Sequence, residues 1–407
     1  MGILVLALVI RLASVLAFPQ PEVAADAWQY ITIGWNLASG HGYSMDETAP
    51  FTPTAYRAPL YPSLLAVIFR FIGRDFTAVR LVQAVLGALT AVVTFYVGRE
   101  TTDNWRVGTL AGLIFAVYPA GVFYCGYILV ETTYTFLLSL AVLFFVRGVR
   151  RDSRRDSALS GALLGLTALT RPAPLLFPLV ALAVGLLVFH SWHRTLVHLA
   201  LITGVMVVVL LPWTVRNYLV FDAILPVVYK GMGSQLWLGN RAAQENVANP
   251  DEVARVERVR EREELTAGLT PVQAQQKMLR EGFKEIIHDP GWYAHMVIAK
   301  VIKLWKYPIG GPTLDGISPL AGAGLQVVYF GLLLTALVGL AVSLRRWRDV
   351  LPVLSVLAYF VGLHGLLHAI PRYHLPLLPY VFVLASVGLW WMRDRFQGWR
   401  LRSGGDR

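Results

Sequence analysis

Long apolar runs are the feature of this chain that most restricts its fold. Segment 127–146 has one charged residue in twenty positions, and segment 199–213 has none in fifteen. A helix of about 20 apolar residues spans a bilayer, and it satisfies its own backbone hydrogen bonds there. Because the runs are continuous rather than alternating, barrel strands are excluded. The sequence therefore predicts an all-α integral membrane protein, a polytopic helical bundle with external loops and interfacial helices.

The charge balance fits this interpretation better than a nucleic-acid-binding one. Only 15% of residues are charged and 56% are hydrophobic, although the net charge is +11. The arginines lie mainly in short loops between apolar runs, where positive charge fixes membrane orientation. We therefore expect no nucleic-acid partner. The single cysteine, Cys125, cannot form an intramolecular disulfide, and we expect it to pack in its apolar run.

The basic loop after the fourth apolar run sets the topology. It contains Arg147, Arg150, Arg151, Arg154 and Arg155, which predicts a cytoplasmic location. Counting from this loop gives about ten spans with both termini in the cytoplasm. The predicted spans are 1–18, 78–97, 107–124, 127–146, 158–169, 172–189, 199–213, 320–344, 350–370 and 373–392.

The same count divides the chain into three predicted regions. Residues 1–213 form an N-terminal transmembrane module whose first external loop is 19–76, residues 214–317 form an external helical segment, and residues 318–407 contain the last spans and a basic cytoplasmic tail. Segments 59–73 and 295–307 suit interfacial helices. Arg11 lies inside the first span, which is costly unless it snorkels or faces protein.

A small set of charged residues near the outer membrane face provides the candidate site. Charges at this depth must be paired or hydrated, so they are candidates for function. The set consists of Asp26, Arg57, Glu131, Arg171, Arg216, Lys230 and Arg372. Asp26 is the predicted catalytic base, and Glu131 is a second predicted catalytic residue that orients the acceptor or the base. The alternatives are that Asp26 caps a helix beginning at Ala27, and that Glu131 pairs with Tyr127 or an arginine.

Four of these residues suit a phosphate. Positive charge is normally scarce on the outer side, and the guanidinium fork matches phosphate oxygens. We expect the donor phosphate to bind Arg57, Arg171, Arg216 and Arg372, although each could instead mark a membrane boundary. Neighbouring aromatic and imidazole rings complete the predicted site as sugar or acceptor contacts: Trp28, Tyr30, Tyr56, Tyr373 and His374.

Motifs for other chemistries are missing from the sequence. It contains no Walker A motif, no CxxC and no GxSxG. His364 and His368 are four residues apart, a spacing that can bind a metal, but no carboxylate accompanies them and we expect polar packing instead. We predict no metal site and no required cofactor, with a divalent metal left open.

This residue set fits transfer of a sugar from a lipid phosphate. Phosphate leaves as a stable anion, so the reaction needs one carboxylate base and cationic stabilisation rather than a strong general acid. Asp26 would take the proton of an acceptor hydroxyl as it attacks the anomeric carbon, with inversion.

Several motifs, in order, resemble a known superfamily. DAWQYITIGWNLASGHGYS, YRAPLYPSLLAVIF, ILVETTYTFLL, ALTRPAPLLF, LPWTVRNYLVFDAILP and PRYHLPLLPY resemble bacterial C-type (GT-C) glycosyltransferases, particularly the group of protein O-mannosyltransferases and the lipid A aminoarabinose transferase. The resemblance implies a polyprenyl-phosphate-sugar donor, a multi-pass inner-membrane protein and an extracytoplasmic active site. It assigns the first-loop base to Asp26 and a further acidic position to Glu131, where glutamate replaces aspartate. The acceptor would be a protein, a glycan or a lipid.

Two other classes remain open from the sequence. A transporter or lipid flippase also combines many spans with buried charge, but it would hold the charges near the membrane midplane. An accessory membrane protein would need no external carboxylate and arginine set.

Overall fold

The computed structural model describes residues 1–17, 25–229, 231–242, 252–309 and 318–403, and these residues fold into helices without a β-strand. The helices in the first half of the chain are α1 (Gly2–Ala17), α2 (Ala25–Ala38), α3 (Leu60–Ile72), α4 (Phe76–Thr102), α5 (Trp105–Val117), α6 (Pro119–Phe123), α7 (Glu131–Arg150), α8 (Arg154–Ala168), α9 (Phe177–Phe189) and α10 (Trp192–Phe221). The later helices are α11 (Met232–Ala242), α12 (Glu252–Thr266), α13 (Pro271–His288), α14 (Pro290–Trp305), α15 (Pro319–Ser343), α16 (Trp347–Leu366) and α17 (Leu378–Ser403).

Apolar helices long enough to cross a membrane form the bundle. Among the described residues, five helical segments have the required length and composition: Phe76–Thr102, Glu131–Arg150, Trp192–Phe221, Pro319–Leu366 and Pro371–Gln397. Helices α1, α3, α5 and the segment Ala173–Phe189 are shorter and apolar. The predicted fold class, an all-α polytopic membrane bundle, is confirmed. The count of ten spans and the division into three regions stay predictions.

Several helix boundaries differ from the predicted ones because of proline or of neighbouring turns. Helix α5 ends at Val117 rather than 124, since Pro119 has no N–H to continue its hydrogen bonds. Helix α10 continues to Phe221, eight residues past the predicted end at 213, and it contains Pro212. Helix α9 begins at Phe177 after a 3₁₀ turn rather than at 172.

The buried Arg11 is explained by the break after α5. Its guanidinium donates to the carbonyl oxygens of Ala116 at 2.9 Å and Phe115 at 3.2 Å. Pro119 cannot donate to Phe115, four residues earlier, so this carbonyl has no helical partner. Arg11 therefore faces protein rather than lipid and satisfies the exposed end of a neighbouring helix.

Ion pairs fix the basic end of α7. Arg147 contacts Glu100 at 3.1 Å, while Arg150 contacts Asp103 at 2.6 Å and Asp349 at 3.3 Å. Helix α7 has 20 residues, a length of about 30 Å. Its first residue, Glu131, therefore lies a full membrane thickness from this cluster.

Helix α17, which follows the candidate residue Arg372, is packed closely against α15. A Cβ added to Gly388 of α17 would collide with the Thr335 carbonyl, and one added to Gly339 would collide with the Leu384 carbonyl. Small residues that let helix backbones approach are typical of membrane interfaces. The interface holds α17, and with it the preceding 3₁₀ turn Pro371–Leu377.

Candidate active site

Five of the predicted charged residues meet at one end of the bundle, although they come from five separate segments. Asp26 is in the first turn of α2 and Arg57 precedes α3. Glu131 begins α7, Arg171 follows α8, and Arg372 lies in the 3₁₀ turn before α17. All five occupy helix ends or adjoining turns, as the sequence predicted.

The five side chains form a continuous ion-pair network, which we call the charged cluster. Arg57 Nη2 donates to Asp26 Oδ1 at 2.6 Å, and Arg372 Nη2 donates to Asp26 Oδ2 at 2.6 Å. Arg171 Nη2 donates to Glu131 Oε1 at 2.9 Å, and Arg372 Nε lies 3.4 Å from the same oxygen. Arg372 thus bridges the two carboxylates. Three guanidiniums and two carboxylates leave one net positive charge.

The two acids differ in their access to solvent. The Asp26 side chain is 39% exposed, whereas Glu131 is 1% exposed. Burial raises the pKa of Asp26, but Arg372 and Arg57 lower it by more, so the pKa lies well below its ordinary value. Asp26 is therefore an accessible, ionised carboxylate. Glu131 is enclosed by its arginine partners and cannot reach a bulky substrate.

Arg57 is held in position by three further contacts from α2 and from the segment between α2 and α3. Its Nε donates to Gln29 Oε1 at 2.7 Å, and its Nη1 donates to the Tyr30 hydroxyl at 3.3 Å. The Tyr43 hydroxyl donates to the Arg57 carbonyl at 2.8 Å. Gln29 was missed by the sequence analysis because it is uncharged, although it lies one helical turn after Asp26 on the same face.

Rings cover two of the arginines. The Arg57 guanidinium lies 4.7 Å from the centre of the Tyr30 ring, and the Arg171 guanidinium lies 4.7 Å from that of Tyr373. Such cation–π contacts orient a guanidinium without consuming its hydrogen-bond donors. Tyr30 and Tyr373, both expected in the site, therefore contact the charged cluster.

Other predicted site residues lie apart from these contacts. Arg216 donates to the Thr54 carbonyl at 2.8 Å and stacks on Trp213 at 4.8 Å, and it forms no ion pair in the described part of the chain. Trp28 is 44% exposed and packs against Phe76, because positions 26 and 28 point about 200° apart on a helix.

Tyr56 contacts the charged cluster, whereas His374 packs against other elements. The Tyr56 ring lies 5.5 Å from the Arg57 guanidinium and 6.0 Å from Tyr229, at the edge of the charged cluster. His374 is buried between Trp305 and Tyr329, with ring-centre distances of 5.8 and 5.7 Å. Lys230 lies outside the described residues. The alternative cap role of Asp26 does not apply, because α2 begins at Ala25 and places Asp26 in its first turn.

The histidine pair is engaged in packing. His364 stacks on Tyr373 with ring centres 4.8 Å apart, and its Nδ1 lies 3.3 Å from the His368 carbonyl oxygen. His368 meets the edge of the same tyrosine ring at 6.2 Å. No group of three potential metal ligands among His, Cys, Asp and Glu occurs in the described ranges.

An apolar groove of about 280 Å³ lies between the start of α3, the end of α8 and α10. The backbone N–H of Leu60 donates to the Leu169 carbonyl at 2.8 Å, which joins the start of α3 to the end of α8. Leu60 and Leu169 each lie within three residues of a cluster arginine. The groove is lined by Pro59, Leu60, Ser63, Leu169, Val209, Pro212 and Trp213.

A family model and a solved structure both support the resemblance. The family model described as dolichyl-phosphate-mannose-protein mannosyltransferase matches residues 56–214. The archaeal oligosaccharyltransferase AglB from Archaeoglobus fulgidus, in complex with an inhibitory peptide and a dolichol-phosphate, superposes with a TM-score of 0.61 at 15% identity. The alignment covers 99% of this chain and 51% of AglB. The chain shares its fold with this archaeal oligosaccharyltransferase.

Two further solved structures align with the chain. The apo form of the Archaeoglobus fulgidus oligosaccharyltransferase has a TM-score of 0.59 at 14% identity, over 99% of this chain and 52% of that one. ArnT from Cupriavidus metallidurans, bound to undecaprenyl phosphate, has a TM-score of 0.44 at 18% identity, over 95% and 77% of the two chains. No curated protein sequence matches. The chain spans about half the length of the archaeal enzymes.

The predicted GT-C resemblance is thereby confirmed. The segment matched by the family model contains Arg57, Glu131 and Arg171, whereas Asp26 and Arg372 lie outside it. The ion pairs of Asp26 and Arg372 connect these outer segments to the matched one.

Proposed function

We propose that this protein is a membrane glycosyltransferase that moves a hexose or pentose from a polyprenyl-phosphate donor to an acceptor hydroxyl. The reaction takes place on the extracytoplasmic face of the bacterial inner membrane. The observation that carries the proposal is the charged cluster, in which a partly exposed carboxylate shares two guanidiniums at one end of the bundle.

The net charge of the cluster suits this donor. A sugar linked to a lipid through phosphate is a diester with one negative charge, which matches the one net positive charge of the cluster. Departure of the sugar leaves a phosphate monoester with a charge of about −1.5 to −2 at neutral pH. Arg57 and Arg372, with Arg171 beside them, stabilise the charge that develops on this leaving group.

The proposed step moves one proton and one glycosyl group. The acceptor oxygen attacks the anomeric carbon from the face opposite the phosphate, and the bond between that carbon and the phosphate oxygen breaks, with inversion. The bonding electron pair leaves with the phosphate, and Asp26 takes the acceptor proton. Glu131 does not touch the reactants in this scheme. It fixes Arg171 and Arg372 through its Oε1 atom.

The prenyl chain fits the apolar groove beside the charged cluster. The lining contains one polar side chain, Ser63, among apolar ones such as Val209 and Trp213. A lipid tail in this groove brings its phosphate to the side of Arg57 and Arg171. The relatives offer the same class of ligand: AglB was solved with a dolichol-phosphate, and the matching family model is named for a dolichyl-phosphate-linked mannose.

The position of the cluster favours an enzyme over a transporter or flippase. Asp26 and Glu131 both lie in the first turns of their helices, at one end of the bundle. A transporter would carry such charges near the midplane. The proposed acceptor is a protein, glycan or lipid of the cell envelope, and the reaction as written needs no cofactor.

A transfer assay with the purified protein in nanodiscs tests the proposal. Labelled polyprenyl-phosphate sugars, including the mannose derivative, are supplied with cell-envelope fractions as acceptors. We expect label to move to an acceptor from at least one donor, and undecaprenyl phosphate to inhibit this transfer competitively. Transfer that is unaffected by a large excess of undecaprenyl phosphate contradicts a lipid-phosphate donor site.

A further inference from the structure

The two oxygens of Asp26 engage the guanidiniums that are proposed to bind the donor phosphate. Each oxygen accepts one short hydrogen bond of 2.6 Å, from Arg57 and Arg372 respectively. Arg57 directs its other two nitrogens to Gln29 and Tyr30, so its Nη2 is the group that faces Asp26. A phosphate oxygen that takes the place of Asp26 Oδ1 competes with Asp26 for the same Nη2 N–H.

We propose that Asp26 and the donor phosphate compete for Arg57 and Arg372, so that binding of the donor releases Asp26 to act as the base. This inference rests on the proposed function, and it adds an order of events. The acceptor proton can be removed efficiently only after the leaving group is bound. Without the donor, Asp26 stays paired with the two arginines, and binding of the phosphate releases it.

Electrostatics gives the reason why release matters. A carboxylate beside two guanidiniums is a weak base, because the cations favour its charged form. The pKa of Asp26 is raised by burial but lowered by more by Arg372 and Arg57. The donor phosphate brings a negative charge that offsets part of the positive charge of the two guanidiniums. The basicity of Asp26 then increases at the moment when the donor is in place, as general-base catalysis requires.

The second carboxylate is suited to a different task. Glu131 is 1% exposed and its Oε1 is shared by Arg171 and Arg372, whereas Asp26 is 39% exposed. A phosphate can approach the Asp26 side of Arg372 while Glu131 continues to hold the Nε side. The cluster therefore has one exchangeable carboxylate, Asp26, and one fixed carboxylate, Glu131.

Binding of undecaprenyl phosphate to Asp26→Asn tests the competition. Asparagine keeps the size of the side chain but does not hold the arginines by charge. We expect the variant to bind undecaprenyl phosphate about tenfold more tightly than the wild type, the effect of about 1.4 kcal/mol. The matched control is Glu47→Gln, which removes one negative charge from an exposed position of the same external loop. Unchanged or weaker binding by Asp26→Asn overturns the proposal.

A measurement on the wild-type protein covers the case in which Asp26→Asn folds poorly. Water-soluble carbodiimides react with protonated carboxyl groups, so their reaction with Asp26 reports its basicity. We expect undecaprenyl phosphate to increase modification of Asp26, measured by peptide mass spectrometry at pH 5, while Glu47 is modified equally with and without the lipid. A constant or decreased modification of Asp26 overturns the proposal.

The two proposals fail separately. If Asp26→Asn binds undecaprenyl phosphate more tightly but still transfers sugar at the wild-type rate, the competition stands and the role as base does not. If the variant loses transfer but binds the lipid with unchanged affinity, the role as base stands and the competition does not.

Discussion

Arg372 and Asp26 form a 2.6 Å ion pair although they are 346 positions apart in the chain. The same guanidinium reaches Glu131, so it connects α2 to α7 through the turn before α17. The charged cluster therefore exists only when the N-terminal and C-terminal parts of the bundle are assembled. Arg372 is the residue on which its geometry depends most.

Arg372→Gln should reduce kcat/KM for the polyprenyl-phosphate donor about 100-fold. The substitution removes a charged donor from the developing phosphate charge, and loss of one such group typically costs about 10² to 10³ in rate. Arg372→Lys should recover only part of the loss, because an ammonium cannot bridge two carboxylates as a guanidinium fork does. Equal rates for the lysine variant and the wild type, measured over a range of donor concentrations, contradict the bridging role.

Glu131→Gln should act mainly by lowering the stability of the folded protein. Its removal leaves Arg171 and Arg372 facing each other with side chains only 20% and 23% exposed. Breaking a fully buried pair costs about 3 to 5 kcal/mol, and the residual exposure reduces our expectation to about 2 to 3 kcal/mol. Thermal unfolding in detergent checks this, with Glu47→Gln as control. Identical unfolding temperatures for the two variants contradict a structural role for Glu131.

The pH dependence of donor turnover should change when an arginine is removed. The pKa of Asp26 is lower in the folded protein than its ordinary value of about 3.9. The ion pairs of Asp26 therefore stabilise the protein at pH values above the ordinary pKa, and this stabilisation is lost as the pH falls through the folded pKa. In the wild type, the acid limb of kcat/KM due to Asp26 should lie below about pH 4. In Arg57→Gln one guanidinium remains to oppose the effect of burial on the pKa of Asp26, and the acid limb should move to higher pH. Superimposable profiles rule out Asp26 as the titrating group.

Arg171 and Arg216 provide a comparison of two arginines that the sequence treated alike. Arg171 contacts Glu131 within the cluster, whereas Arg216 is held by Thr54 and Trp213. Arg171→Ala should raise the apparent KM for the donor about tenfold or more, and Arg216→Ala should change it by less than about threefold. A larger effect at Arg216 than at Arg171 indicates a phosphate site different from the charged cluster.

Much of the fold follows from the sequence because the bilayer imposes simple requirements. Apolar runs such as 127–146 predict a helix, and the structure has α7 at Glu131–Arg150. Helix ends were less predictable, since they depend on partners that are distant in sequence. Arg11 is an example: its position inside an apolar run has no local explanation until the carbonyl of Phe115 is found beside it.

The charged residues of the candidate site could be predicted from the sequence, but residues whose role depends on the direction of the side chain could not. Asp26, Arg57, Glu131, Arg171 and Arg372 were selected because charge is costly near the membrane, and the structure brings them together. Trp28 and His374 were selected because they are near a cluster residue in sequence. Each lies two positions from that residue, and its side chain contacts other elements. Gln29 carries no charge, and its contact with Arg57 depends on the path of the chain between α2 and α3.

The rate of sugar transfer by Asp26→Asn in nanodiscs tests the central claim most directly. The assay compares this variant with Glu47→Gln at saturating polyprenyl-phosphate sugar, so that weakened donor binding cannot account for a loss. We predict a decrease of about 10² to 10⁴ for Asp26→Asn, the range for loss of a general base, with donor binding retained and Glu47→Gln equal to the wild type. Transfer by Asp26→Asn at the wild-type rate contradicts the account.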